Sequence, residues 1–64
     1  MKYREVRKKL LDEGFVEHKG RGKGDHRLYI HPDGRRTTLD YGGGGKDVPK
    51  GTLGAIKRQT GVDF

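Results

Sequence analysis

A chain of 64 residues without a single cysteine must stay folded on whatever hydrophobic core it can gather. Only 28% of its residues are hydrophobic and 38% are charged. At this size, burial and conformational entropy nearly cancel. No disulfide can staple the fold, and no cysteine-type zinc site can form. The expectation is one small domain over residues 1–64, with a bound partner adding to its stability. The lack of cysteine fits a reducing compartment, so a cytoplasmic location is expected. No apolar run approaches the ~20 residues of a membrane span. The opening "MKYREVRKK" has no apolar stretch behind its charges, so no signal peptide is expected either.

Periodicity divides the chain into five elements. In residues 3–13, Tyr3, Val6, Leu10 and Leu11 recur at helical spacing, and Gly14 supplies a stop. Arg4, Arg7, Lys8 and Lys9 lie off that stripe, as a solvated or a backbone-binding face. "FVEH" (15–18) reads as a short edge strand. From His26, "HRLYIHPDGRRTTLDY" reads as a hairpin, with Leu28 and Ile30 alternating against Arg27 and Tyr29. Pro32 presets the turn and Gly34 accepts positive φ. The return strand covers 36–41. "GGGGKD" (42–47) has the composition of a flexible linker. In "TLGAIKRQTG", Leu53, Ile56 and Thr60 form a second helical stripe ended by Gly61, with Val62 and Phe64 as a cover. The order α-β-β-β-α predicts an α+β fold, a three-stranded antiparallel sheet with two helices on one face and the other face open.

Charge narrows the function. Fifteen Lys and Arg against nine Asp and Glu give a net charge of +6. So basic a small domain points to nucleic acid, with an anionic membrane surface or simple solubility as alternatives. Familiar motifs fail. "GGGGK" lacks P-loop spacing, and Asp47 follows its lysine where Ser or Thr is needed. "GRGKGD" is not G-x-G-x-x-G, because position 25 is Asp. The chain contains no serine, which excludes a Ser-His-Asp triad. No histidine spacing suits a metal. His31 opens the turn and reads as a residue held by local hydrogen bonds, and His18 as a surface residue. His26 stands where the glycine-rich "GRGKGDH" (20–26) enters the hairpin, beside Lys23 and Arg27. It is either a proton-transfer group next to a phosphate or a contact residue in a basic loop.

Four stretches in combination resemble the HicA-type mRNA interferase toxins of bacterial and archaeal toxin–antitoxin modules. They are "EGF" (13–15), "GDHRLY" (24–29), "HPDGRR" (31–36) and "VPKGTLGAIKRQTG" (48–61). The resemblance spans nearly the whole chain. It implies a fold like the double-stranded-RNA-binding domain, which agrees with the order read above. It also implies the toxin of a type II toxin–antitoxin system, a metal-independent endoribonuclease without a cofactor, acting on mRNA and neutralised by a HicB-type antitoxin. The family's catalytic histidine lies in a Gly-Ser-His step entering the second strand, a position matched by His26. The family's serine is Asp25 here, and the preceding loop is richer in glycine. A carboxylate at 25 favours imidazolium and repels an incoming phosphate, so altered activity is expected.

In that reading His26 is general base on a ribose 2′-OH, or acid to the leaving oxygen. One histidine cannot hold both states at once, so water or His18 takes the other role. Lys23 and Arg27, with Lys19, stabilise charge on the phosphate. Arg21 and Arg35 complete the RNA-binding set. Tyr29, opposite Leu28 and Ile30, stacks a base on the open face. Two other classes compete: a non-catalytic RNA-binding module, and an interaction subunit whose antitoxin covers His26 and the basic helix face.

Overall fold

The computed structural model describes residues 1–19, 26–40 and 45–64, with the backbone alone at 19, 26 and 40. Its elements follow the expected order: α1 (Tyr3–Asp12), β1 (Val16–Lys19), β2 (His26–Ile30), β3 (Arg36–Asp40) and α2 (Lys50–Thr60). The strands form an antiparallel sheet in the order β1-β2-β3. Glycine-rich residues 20–25, and 41–44 of the expected strand end and linker, lie outside the described residues.

Local chemistry sets the boundaries. Glu5 in the first turn of α1 accepts the Lys2 backbone N–H at 2.7 Å, the reciprocal half of a capping box. Gly14, at φ +99°, ends α1, and its N–H donates to the Leu11 carbonyl. Gly61, at φ +70°, ends α2 with its N–H on the Lys57 carbonyl. The linker reading (42–47) needs correction over 45–47. There the chain pairs with its own beginning: Tyr3 N–H donates to the Lys46 carbonyl at 2.9 Å, and Val48 N–H to the Met1 carbonyl at 2.7 Å.

Both helices cover one face of the sheet. Val6 and Leu10 of α1, Ile56 of α2, Phe15, Val48 and Val62 close over Tyr29 and Leu39. Tyr3, Leu11, Leu53 and Phe64 pack at the margin, so the C-terminal cover forms as expected. Strand alternation puts residues 17, 29, 37 and 39 on the covered face and 16, 18, 28, 30, 36 and 38 on the open one. Val16 is accordingly 52% exposed, while Tyr29 is fully buried.

The β2–β3 turn fastens both helices at one end. His31 Nδ1 accepts the Asp33 N–H and His31 Nε2 meets the Glu13 carbonyl, each at 3.1 Å. The tautomer that satisfies both carries its proton on Nε2. The His31 ring stands edge-on to Phe15, with centroids 5.0 Å apart. Asp33 takes the backbone N–H and Nε of Arg35 at 3.0 and 2.7 Å, which holds its carboxyl below the usual range, the backbone bond first. Arg35 also reaches the Thr60 carbonyl at the end of α2 and lies over the Phe15 ring.

Two glycines test this end of the fold. A Cβ on Gly34, at φ +100°, meets nothing, so Gly34→Ala is expected to cost only backbone strain, about 1 kcal/mol. A Cβ on Gly14 comes 3.1 Å from His31 Nε2 and intrudes on its bond to Glu13. Gly14→Ala is therefore expected to cost roughly 1 kcal/mol more. Denaturant unfolding of both variants checks the order. Equal costs would mean that the His31 contact contributes nothing.

Candidate functional site

The turn contacts decide where the charges go. Both helices end beside the β2–β3 turn, through Glu13 and Thr60. Both therefore begin at the opposite end, where β1 finishes, β2 starts and β3 finishes. Helix macrodipoles place partial positive charge at that end. α2 begins there without a side-chain cap and with no acid in its first turn. Lys2, Lys46 and Lys50 belong to the same end, through the pairing of residues 1–3 with 46–48 and the start of α2. Glu5 and Asp47 stand at this end too, Asp47 3.8 Å from Lys2 Nζ, while Lys9, Lys57 and Arg58 lie in the last turns at the other end, so it is the helix dipoles that favour an anion here.

The sheet register brings three of the residues expected from sequence to one end of the sheet, with Arg27 and Lys19 at the parity of the covered face and His26 at that of the open one. His26 is the first residue of β2, Arg27 follows it, and Lys19 closes β1 directly opposite Arg27. Asp40, the last residue of β3, is the register partner of His26, a neighbour the sequence reading did not name. Arg21, Lys23 and Asp25 lie outside the described residues. His18 is exposed on the open face, paired with Leu28.

Two expected RNA contacts belong elsewhere. Tyr29 is not available to stack a base: it is fully buried beneath the helices and its hydroxyl is engaged inside the fold. Apolar residues stand on both faces of β2, and the larger aromatic took the covered one. Arg35 sits at the far end, committed to Asp33, Thr60 and Phe15, so it serves the turn rather than a surface beside His26.

The sequence reading also passed over Glu17. Three donors from two elements meet on its Oε1: the Tyr29 hydroxyl at 2.6 Å, Arg7 Nε at 2.8 Å and Arg27 Nη1 at 3.4 Å. The Glu17 side chain is 17% exposed. The Arg7 hydrogen bond, then that of Tyr29, hold its carboxyl at about 2 against an ordinary 4.5. Burial, then the same carboxylate, push the Tyr29 phenol well above its usual value. The available signal was an acid on β1 at the same strand parity as an arginine and a tyrosine on β2.

A family described as the HicA toxin of bacterial toxin–antitoxin matches residues 3–62 of the chain. No curated protein matches it significantly.

The Glu17 cluster predicts acid sensitivity. A carboxyl whose folded pKa lies below its unfolded value stabilises the fold above the unfolded pKa, and that stability is lost as pH falls through the folded one. From about 4.5 down to about 2, this group should account for a loss of roughly 3 kcal/mol. Glu17→Gln is expected to lower stability at neutral pH and to flatten the acid limb of a stability–pH curve. An unchanged acid limb would show that Glu17 is not its source.

Proposed function

Since the chain belongs to the HicA toxin family of bacterial toxin–antitoxin systems, and is thus the toxin of such a system, we propose that it is an RNA-cleaving toxin whose reacting group is His26. The observation that supports this best is the backbone register, which brings Lys19, His26 and Arg27 to one end of the sheet, His26 at the strand parity opposite to that of the other two. An RNA backbone entering there meets positive charge from side chains and helix dipoles together.

In this reading His26 removes the proton of a ribose 2′-OH. The 2′-oxygen attacks the adjacent phosphorus, and the bond to the 5′-oxygen of the next nucleotide breaks. The leaving oxygen takes a proton from water or from a second side chain. The products are a 2′,3′-cyclic phosphate and a free 5′-hydroxyl. The step needs no metal. Lys19, Lys23 and Arg27, with Arg21, stabilise the charge that builds on the phosphoryl oxygens. Asp25 favours the imidazolium form of His26 and opposes phosphate binding, so activity differs from that with serine at this position, in rate, in pH range or in substrate. The neutralising partner is a HicB-type antitoxin, whose surface over the basic end carries acidic groups. Among the described residues no helix is long and apolar enough to cross a membrane.

A second reading, binding of RNA without cleavage, rests on the same basic charge, with Asp25 in place of the family's serine in its favour. One experiment separates the two: RNA incubated with folded protein in excess EDTA, beside His26→Ala. Cleavage by wild type, lowered about 10²–10⁴-fold in the variant, supports catalysis. Equal cleavage by both overturns His26 as the reacting group. Binding by both without product supports the second reading.

A further inference from the structure

The helices cover one face of the sheet, and the open face has a chemistry of its own. Its described side chains are Val16, His18, Leu28, Ile30, Arg36 and Thr38, with no acid among them. Asp40 shares their strand parity, in the row of His26. A shallow groove of about 280 Å³ crosses β3, lined by Leu28, Arg36, Thr37, Thr38 and Gln59. It begins two residues past His26 at the same parity, roughly 7 Å along β2. Two of its polar groups are not used by the fold. Arg36 is exposed and has no hydrogen-bond or ion-pair partner among the described residues. The Gln59 amide oxygen accepts the hydroxyl of buried Thr37 at 2.6 Å. Its amide nitrogen has no partner among the described residues. One bond therefore holds the amide at the groove and leaves two N–H donors over.

We propose that this groove takes a base of single-stranded RNA next to the nucleotide that reacts at His26, with Gln59 contacting the base edge and Arg36 the adjoining phosphate. This rests on the RNA reading above and extends it to β3 and α2. Half-buried Leu28, with Thr38 beside it, gives the flat face of a base an apolar floor. An unpaired base presents its polar edge to a side chain, and an amide already fixed by Thr37 meets that edge at little cost in rotational freedom. The guanidinium of Arg36 suits a phosphate because its planar fork matches two oxygens. The volume lies at the small end of ligand pockets, which fits one base. The other occupant that an edge strand such as β3 admits is a pairing strand of a protein. Such a strand is held by backbone groups, whereas a fixed amide and an unpaired guanidinium match the edge and the charge of a nucleotide.

The test is binding of three short 2′-O-methyl RNAs of equal length, made of A, C or U alone, which cannot be cleaved through the 2′-oxygen. Each is titrated over a series of salt concentrations. Wild type is expected to rank the three, with a spread of roughly tenfold. Gln59→Met keeps the length of the side chain, loses the amide and should compress that spread. Gln59→Glu keeps an acceptor for Thr37 and loses the donors, so it should change the ranking too, and it serves if Gln59→Met fails to fold. Arg36→Gln is expected to weaken binding of all three alike, roughly tenfold at low salt. It should also make log K against log salt shallower by about 0.7, one phosphate contact on a single strand. Arg58→Gln makes the same change of charge at an exposed α2 residue that does not line the groove. It should keep the ranking and lose less affinity than Arg36→Gln. Each variant is compared as folded protein, checked by its thermal transition. No ranking by wild type, or a wild-type ranking in both Gln59 variants, overturns the base contact. Equal losses in Arg36→Gln and Arg58→Gln overturn the phosphate contact. Either result, with RNA still bound by wild type, leaves the RNA reading intact. No binding by wild type removes the RNA reading, and the groove with it.

Discussion

The Glu17 carboxylate is the contact on which the arrangement of this small sheet turns. β2 carries apolar side chains on both faces, Leu28 and Ile30 on one and Tyr29 on the other, so hydrophobicity alone leaves its orientation nearly balanced. Glu17 breaks the balance. With it on the covered face, the Tyr29 hydroxyl, Arg7 and Arg27 can all reach one oxygen. A slip of one residue in the β1–β2 register would turn Glu17 to solvent and leave the Tyr29 hydroxyl buried without its acceptor. The cluster therefore selects a register, and joins α1 to the sheet at a place where the core is thin.

A second set of contacts fixes the direction of the helices. The turn at 31–35 holds the C-terminal end of α1 through His31 and of α2 through Arg35. Carbonyls at the ends of helices are natural acceptors for such donors. With both C-terminal ends tied there, both N-terminal ends must lie at the start of β2. The electrostatic polarity of the molecule follows from hydrogen bonds about a β2 length away from the residues it serves.

Much of the fold was legible because its signals are local. The apolar stripe from Tyr3 to Leu11, the turn chemistry of Pro32 and Gly34, and the stops at Gly14 and Gly61 each act within a few residues. Misreadings arose where two distant elements compete. Tyr29 looked like a surface aromatic because Leu28 and Ile30 flank it. Only Leu39 on β3 and Glu17 on β1 decide that its face is the inner one. Arg35 looked like one more surface cation, since the carbonyl it reaches is twenty-five residues away. The pairing of residues 1–3 with 46–48 had no apolar pattern to announce it, because it is made by backbone groups with the Lys2–Asp47 ion pair beside them. Of the candidate site, His26 was singled out by motif resemblance alone, and its place at the same end of the sheet as Lys19 and Arg27 came from the register.

The scarcity of apolar residues explains why structural and surface roles fall on the same side chains. With so few hydrophobic residues to bury, Arg7 and Arg27 lend their alkyl stems and one nitrogen each to the fold. One carboxylate receives both guanidinium groups and a buried phenol. Replacing Glu17 by an apolar residue would fill space but leave two adjacent cations to repel each other. One acid that receives two arginines and a tyrosine hydroxyl therefore ties α1, β1 and β2 together where apolar side chains are few.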